Sequence, residues 1–392
     1  MKKHIVIVTS YYAPAWGYGG PPVVLSTISE ELVKKDYKVS VITTDVLDEK
    51  RNKTLEEQIN GVQIYRYPTI SNTLAYRQKI FYVPCFLSKV KSIIISADCV
   101  LFSDLRTLLN WQLYTFLINK KIPYGVFSFG QIPYDTGWKY GIKRVFDALW
   151  VTDFVRNATW RFAQTTHEQK MYKTHFGIPK EKTHILYLPV AKKLESASKR
   201  DLEVMRERFN IFKTDKVVLY VGRLHYLKGI DILIQSILPL LSADKAIKLL
   251  IVGRDDGGEQ RLRTMVPNNC SSQIKFLGPF YNRDVESVYK MSSCFAITPR
   301  FFEETSMATL EALSYGVPVV ATREADVPHL EEYKAGFIVE NKPEVIAQAI
   351  QRVIDWRVND PHAVRKRTIS LVKDKFFSSH IAKQLIVYLK NV

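Results

Sequence analysis

Cysteine is scarce in this 392-residue chain, and its four cysteines, Cys85, Cys99, Cys270 and Cys294, show neither Cys-x-x-Cys pairing nor Cys/His ligand spacing. That argues against a structural zinc site and against a disulfide scaffold, and it fits a reducing cytoplasm. Long apolar runs are missing too: none approaches the roughly 18 residues a membrane span needs. The opening Met1 to Ser10 has two lysines before a strand-sized run, too brief for a secretory signal's core and without a small-residue cleavage pattern. Acidic residues are outnumbered, 39 against 56 Lys and Arg, leaving a formal charge of +17. Such a charge attracts nucleic acid, anionic lipid head groups or phosphorylated substrates. The cations recur through both halves, and no RRM, KH, zinc-finger or P-loop pattern accompanies them, so no nucleic acid partner is expected and a membrane surface ranks above it. The eight histidines lack His-Glu-x-x-His spacing and no Asp-x-Asp pair occurs, so no metal and no obligatory cofactor are expected.

What remains is an ordinary globular composition, 46% hydrophobic and 24% charged, in a chain long enough for two domains of about 180 residues each. Short apolar runs alternate with helical patterns, the order of an α/β protein with parallel sheets. In the first half, strands are expected at 5–8, 39–43, 62–67, 99–102, 124–127 and 185–188, with helices at 22–35, 77–96, 105–118 and 139–163. A charged stretch follows, and strands resume at 216–221, 249–252, 274–277, 294–298 and 317–320. The expected division is 1–190, a linker over 191–213, and 214–375. Two Rossmann-like halves facing across a cleft would gather ligands at the carboxyl ends of their strands.

The chemistry-bearing motifs fall at those ends. Val221-Gly222-Arg223-Leu224-His225-Tyr226-Leu227-Lys228-Gly229 follows a strand, and its Arg223 and Lys228 suit a pyrophosphate whose charge grows as it leaves. Glu303 and Glu311 are eight residues apart; the first precedes an apolar helical pattern and the second lies within it, so they need not share a helical face. Ser306 and Thr309 lie near that helix's N-terminus, an end that favours anions. Gly253 and Gly278 close two further strand-to-turn elements and permit close backbone approach. Ser10 to Pro22 follows the first strand with Gly17, Gly19 and Gly20, too few glycines for the dinucleotide pattern Gly-x-Gly-x-x-Gly. Each element alone also reads as ordinary: a solvated glutamate, loop cations, a plain turn, a flexible loop.

Together they resemble the family 4 retaining glycosyltransferases, through the spacing Glu303-x7-Glu311 and the element Gly222-Arg223-x4-Lys228-Gly229. The resemblance is strongest from Lys216 to Val339 and rests mainly on element order before that. It implies a GT-B fold whose C-terminal segment, about 376–392, returns to the first domain. It implies a nucleoside diphosphate sugar donor, UDP- or GDP-linked, and front-face displacement in which the leaving diphosphate helps deprotonate the acceptor. On this resemblance Glu303, Arg223 and Lys228 are the catalytic residues, with Glu303 facing the donor sugar. Glu311 would accept from the ribose hydroxyls, and Ser306, Met307, Ala308 and Thr309 would offer amides to phosphate or sugar. Gly253 and Gly278 would line the nucleotide loops, and Gly19 and Gly20 would approach phosphates or acceptor. The chain departs from the family pattern at Arg254, where a small acidic residue is common. It also reads Glu304-Thr305-Ser306-Met307 for Gly-Phe-Gly-Leu, and Phe129 stands where His or Arg is common. Glu304 is expected to be an exposed neighbour without a catalytic role.

The implied acceptor is a saccharide or lipid-linked saccharide in cell-surface polysaccharide or glycolipid synthesis. Segments mixing cations and aromatics, 76–83, 86–91, 138–144 and 150–161, suit either an anionic membrane surface or packing on the protein's own sheet. The expected location is the cytoplasm, with the inner membrane face as the surface such contact would use. Two other readings compete. A GT-B epimerase or phosphorylase would be told apart by its product, and a noncatalytic basic binder by salt-sensitive nucleic-acid binding without response to nucleoside diphosphates.

Overall fold

The computed structural model describes residues 2–47, 50–132, 138–191, 197–280 and 282–390, side chains included except at 138–140 and 282. Within it the chain divides into two compact units, Met1–Pro189 with Ser378–Val392, and Val190–Phe377.

In the first unit the strands of the main sheet are β1 (His4–Val8), β2 (Lys38–Thr44), β3 (Glu56–Ile59), β4 (Val62–Tyr67), β5 (Cys99–Phe102), β6 (Tyr124–Phe127), β7 (Trp160–Ala163) and β8 (His184–Ile185). They form one sheet in the order β8-β7-β6-β5-β1-β2-β4-β3. Its central strands are uninterrupted apolar runs because a parallel sheet is covered on both faces. Helices α1 (Gly20–Lys34), α2 (Phe86–Ile95), α3 (Leu108–Lys120), α4 (Trp138–Phe146), α5 (Thr152–Arg156) and α6 (Thr166–Phe176) accompany the sheet.

Several expectations change here. The sheet is not wholly parallel: β3 pairs antiparallel with β4 through a turn at Asn60 and Gly61, both at positive φ, as a two-residue hairpin requires. The helix expected over 77–96 is broken. Lys79 and Cys85 adopt left-handed backbone, and Pro84 between them has no N–H to donate. The helix expected over 139–163 ends at Arg156, and its last residues are the buried strand β7. A segment as short as Trp160-Arg161-Phe162-Ala163 is ambiguous between the two forms until the sheet claims it. The strand expected at 185–188 shortens to His184–Ile185 at the sheet's edge.

The second unit holds α7 (Lys199–Arg208), β9 (Lys216–Val221), α8 (Ile230–Ala243), β10 (Ile247–Val252), α9 (Glu259–Thr264), β11 (Ile274–Gly278), α10 (Asn282–Lys290), β12 (Cys294–Ile297), α11 (Met307–Ser314), β13 (Val319–Thr322), β14 (Gly336–Val339), α12 (Pro343–Asn359) and α13 (Pro361–Leu371). Its six strands are all parallel, in the order β11-β10-β9-β12-β13-β14. In place of a charged linker over 191–213, 199–208 forms α7, opened by a reciprocal Ser198–Asp201 capping box; residues 192–196 of that segment lie outside the described residues. The strand expected at 317–320 begins only at Val319, after Pro318, which cannot donate to the ladder.

The last helix, α14 (Ser378–Lys390), belongs to the first unit. There Trp160 donates its indole N–H to Tyr388 O at 2.9 Å, and His184 stacks on the Tyr388 ring at 4.4 Å.

Candidate functional site

The strand order of the second sheet reverses between β9 and β12, and the loops leaving the carboxyl ends of those two strands flank the crevice where α/β sheets bind ligands. Lys228 comes from the β9 loop and Glu303 from the β12 loop. Beyond β9, Gly222 N–H donates to Val252 O and Leu224 N–H to Arg254 O, each at 2.9 Å, which extends the sheet edge into the loop. A short turn, Tyr226–Lys228, capped by His225, then turns Lys228 inward. Glu303 is held at both backbone groups, donating to Glu324 O at 2.7 Å and accepting from Asp326 N–H at 3.1 Å.

The Lys228 ammonium and the Glu303 carboxylate form an ion pair, both half-buried. Beneath them Tyr220 is buried; burial first, and the Glu303 charge second, push its phenol far up, so it stays protonated and donates to Arg223 O at 3.2 Å. The Arg223 side chain points elsewhere, to Asp256 at 2.9 Å, and Asp256 also takes Arg254 at 3.2 Å. Of the two cations expected to act together, only Lys228 is brought to Glu303.

Glu303 lies outside α11 and Glu311 lies within it. The Tyr289 hydroxyl is 3.1 Å from Glu311 Oε2 and 3.2 Å from Ala308 O. Burial, reinforced by Glu311, holds that phenol in its neutral, donating form. Ser306 caps α11, its Oγ accepting from Thr309 N–H at 3.2 Å and lying 2.8 Å from Thr309 Oγ1. This corrects the expectation of four available amides: Thr309 is buried and its N–H is engaged by the cap. The N–H groups of Met307 and Ala308, in the first turn, have no intrahelical acceptor and remain suited to an anion. Glu304 is half-buried rather than exposed.

Gly253 does permit a close backbone approach, but to its own chain. A Cβ there would lie 1.8 Å from Gly222 O, and its N–H donates to Gly278 O at 2.9 Å. Gly278 has positive φ with open space where a Cβ would stand. Arg254 is exposed, and next to it Asp255 accepts from Gly257, Gly258 and Glu259 amides at 2.9–3.0 Å, which lowers its carboxyl pKa.

In the first unit, Gly19 is exposed with φ 93° and Gly20 opens α1. Their loop is ordered by aromatic packing: Tyr18 stacks on Tyr11 at 4.5 Å, and Lys79 lies 4.3 Å above the Tyr18 ring. Phe129 stacks on Phe127 at 5.4 Å; Pro133 of that segment lies outside the described residues. In the segments mixing cations and aromatics, Phe81, Phe86, Trp150, Phe154 and Trp160 are buried in their own core. The side chains of Trp138, Lys139 and Tyr140 lie outside the described residues.

Sequence reasoning passed over Asp256, Asp231, Tyr289 and Arg300. Only Arg300, directly after Pro299 and three residues before Glu303, carried a local signal.

Residues 215–355 match the family model described as glycosyl transferases group 1. An uncharacterized glycosyltransferase of Methanocaldococcus jannaschii is 24% identical over 97% of this chain and 96% of its own length. The D-inositol 3-phosphate glycosyltransferase of Corynebacterium efficiens is 29% identical, but over 43% of this chain and 40% of the relative. The fold is that of the Anabaena protein HepE solved with UDP, at a TM-score of 0.74 and 18% identity over 100% of both chains.

Proposed function

We propose that this chain, whose residues 215–355 belong to the glycosyl transferases group 1, is a retaining glycosyltransferase. It moves a hexose-like unit from a UDP- or GDP-sugar to a saccharide or lipid-linked saccharide in cell-surface polysaccharide or glycolipid synthesis. The observation that carries this reading is the Lys228–Glu303 pair at the point where the second sheet's strand order reverses, beside a helix whose first amides lack partners. Lys228 neutralises the departing diphosphate, which costs least when the cation is already in place, and Arg223 joins it by exchanging Asp256 for phosphate. Glu303 faces the donor sugar and stabilises positive charge at its anomeric carbon. The Met307 and Ala308 amides, with the capped Ser306–Thr309 turn, receive phosphate or sugar oxygens. Glu311, polarised by Tyr289, accepts from the ribose, and Gly278 leaves backbone open to the base. Gly253 shapes the nucleotide loop, and Gly19 and Gly20 meet phosphate or acceptor. The leaving phosphate takes the acceptor's proton as the new bond forms on the face the diphosphate departs, which keeps the anomeric configuration. HepE having been solved with UDP supports a uridine donor.

A thermal-shift screen of UDP, GDP, ADP and their sugars tests the reading, since a ligand of the native state raises apparent stability by mass action. A rise with a uridine or guanosine diphosphate, and transfer with retention from the matching sugar, is expected. No response to any of them removes the proposal.

The proposal extends to contact with an anionic membrane at the cytoplasmic face. Among the described residues no helix is long and apolar enough to cross one. Ile142, Val145 and Leu149 are 56%, 61% and 73% exposed, and their spacing puts them on one face. Flotation with anionic vesicles should carry the protein upward; equal behaviour with neutral vesicles would discard this part.

A further inference from the structure

Two segments of the second unit carry the groups assigned above, the 222–229 loop with Lys228 and the β12 exit with Glu303, and residue 300 fastens one to the other. Arg300 N–H donates to Leu227 O at 2.9 Å. Two residues earlier, Thr298 Oγ1 donates to Gly229 O at 3.0 Å, an approach so close that a Cβ on Gly229 would stand 1.9 Å from Thr298 O. The Arg300 side chain then folds back over the same loop. Its guanidinium carbon lies 4.1 Å from the centroid of the Tyr226 ring, and its Nη2 donates to Asp231 Oδ2 at 2.5 Å. Asp231, buried in the first turn of α8, also receives Arg261 at 3.4 Å, whose guanidinium lies 5.5 Å from the Tyr226 ring. Tyr226 and Asp231 thus bracket Lys228 in sequence, and Arg300 binds both.

We infer that Arg300 is a positioning residue for sugar transfer: through Asp231 and Tyr226 it keeps the ammonium of Lys228 in register with the carboxylate of Glu303. The inference rests on the transfer reading above. Its physical basis is that the Lys228–Glu303 pair cannot hold itself. Lysine is a point charge on a flexible four-carbon stem, and a pair whose side chains are 21% and 26% exposed is still partly screened by solvent. The loop under it must therefore be fixed by something else. A planar guanidinium can stack on a ring and donate to a carboxylate at once, which an ammonium cannot do with the same geometry. Arg300 acts on the reaction only through those neighbours. Because a misplacement of about 1 Å in a reacting array costs on the order of 100-fold in rate, its effect should appear in turnover rather than in nucleotide capture. The Met307 and Ala308 amides, which Arg300 does not touch, remain to bind phosphate.

The test uses the full chain with Arg300→Met, Arg300→Lys, Asp231→Asn and the double variant. It measures transfer kinetics with the active sugar nucleotide, UDP and GDP binding by calorimetry, and Tm. Expected for Arg300→Met is a fall in kcat of roughly 30- to 100-fold with the nucleoside diphosphate Kd within about threefold. Arg300→Lys should recover part of kcat, and the double variant should be no slower than the slower single, because contacting residues do not add. A kcat for Arg300→Met within twofold of wild type overturns the inference, as does full additivity. A loss seen only as lower Tm and weaker UDP or GDP binding also overturns it. Should Arg300→Met not fold, Arg300→Lys and Asp231→Asn carry the same comparison. Wild-type protein that binds no nucleoside diphosphate and transfers no sugar removes the transfer reading itself, and this inference with it.

Discussion

The two units place different side chains on one topology. Each sheet reverses its strand order beside its first strand, between β9 and β12 in the second unit and between β1 and β5 in the first. At the second unit's reversal point stand Lys228 and Glu303, with the Arg223–Asp256–Arg254 and Arg300–Asp231–Arg261 groups in the same unit. At the first unit's reversal point the contacts to Asp104 are hydrogen bonds from neutral groups, while Arg106, two residues on, forms its own ion pair with Asp147 at 2.7 Å. Ser10 N–H and Gln131 Nε2 donate to Asp104 at 3.0 Å each, and Ser103 Oγ donates to Thr9 Oγ1 at 2.7 Å. Paired charges at a crevice can exchange their internal counter-ions for an anionic ligand, whereas Asp104, held by neutral donors, brings no cation to one. The fold supplies a place; the residues at the strand ends decide what it takes.

The largest expected effects separate those two places. Lys228→Ala should lower transfer about 100- to 1000-fold, the scale of losing one preorganised charge contact at a developing anion. UDP or GDP affinity should fall with it, on the order of tenfold or more. Glu303→Gln should lower transfer as far while nucleotide affinity holds or rises, because the carboxylate that competes with phosphate for Lys228 has gone. Asp104→Asn, in the first unit, should leave nucleotide affinity within about twofold. Calorimetry on the three variants beside initial rates checks the set. Nucleotide binding lost in Asp104→Asn as deeply as in Lys228→Ala would erase the contrast.

The second unit was also the more legible of the two. Most of its strands are short apolar runs that pack into a parallel sheet, so β9 to β12 were visible in composition, β13 moved only because Pro318 lacks a donor, and the partly buried edge strand β14 was not among the expected strands. The first unit hid more. β7 reads as the tail of a helix, since Trp160-Arg161-Phe162-Ala163 has no alternation and its polar residue is buried. Arg161 sits there because Val155 O, at 2.8 Å, and the Arg156 and Lys182 carbonyls accept its N–H groups, a set of partners no local pattern displays. The site shows the same divide. That Lys228 and Glu303 lie at the carboxyl ends of strands follows from spacing, because spacing along a βα loop fixes which end of the sheet a residue reaches. Which acid would meet which cation does not. Arg223 turns to Asp256, 33 residues away in sequence, and Arg300 turns to Asp231, 69 away; tertiary packing alone makes those choices.

A smaller effect sharpens the comparison through two glycines. Gly253→Ala in the second unit would put a methyl group 1.8 Å from Gly222 O. That atom belongs to a backbone held by the Gly222 N–H bond to Val252 O at 2.9 Å, so it cannot swing aside as a side chain would. The strand ends must separate, and a loss of about 3 kcal/mol is expected, typical of overpacking where relaxation is blocked. Gly19→Ala in the first unit meets no atom within 4 Å. Its cost is conformational only, the strain of a Cβ at φ 93°, ψ −142°, about 1–2 kcal/mol. Urea unfolding of both variants distinguishes the causes, because strain at an exposed loop can relax by local rearrangement while a backbone collision between strand exits cannot. The two losses should therefore differ by at least about 1 kcal/mol, and nucleotide affinity should drop further in Gly253→Ala, whose loop carries the proposed nucleotide contacts, than in Gly19→Ala. Equal losses, or nucleotide binding impaired more by Gly19→Ala than by Gly253→Ala, would erase the contrast between the two loops.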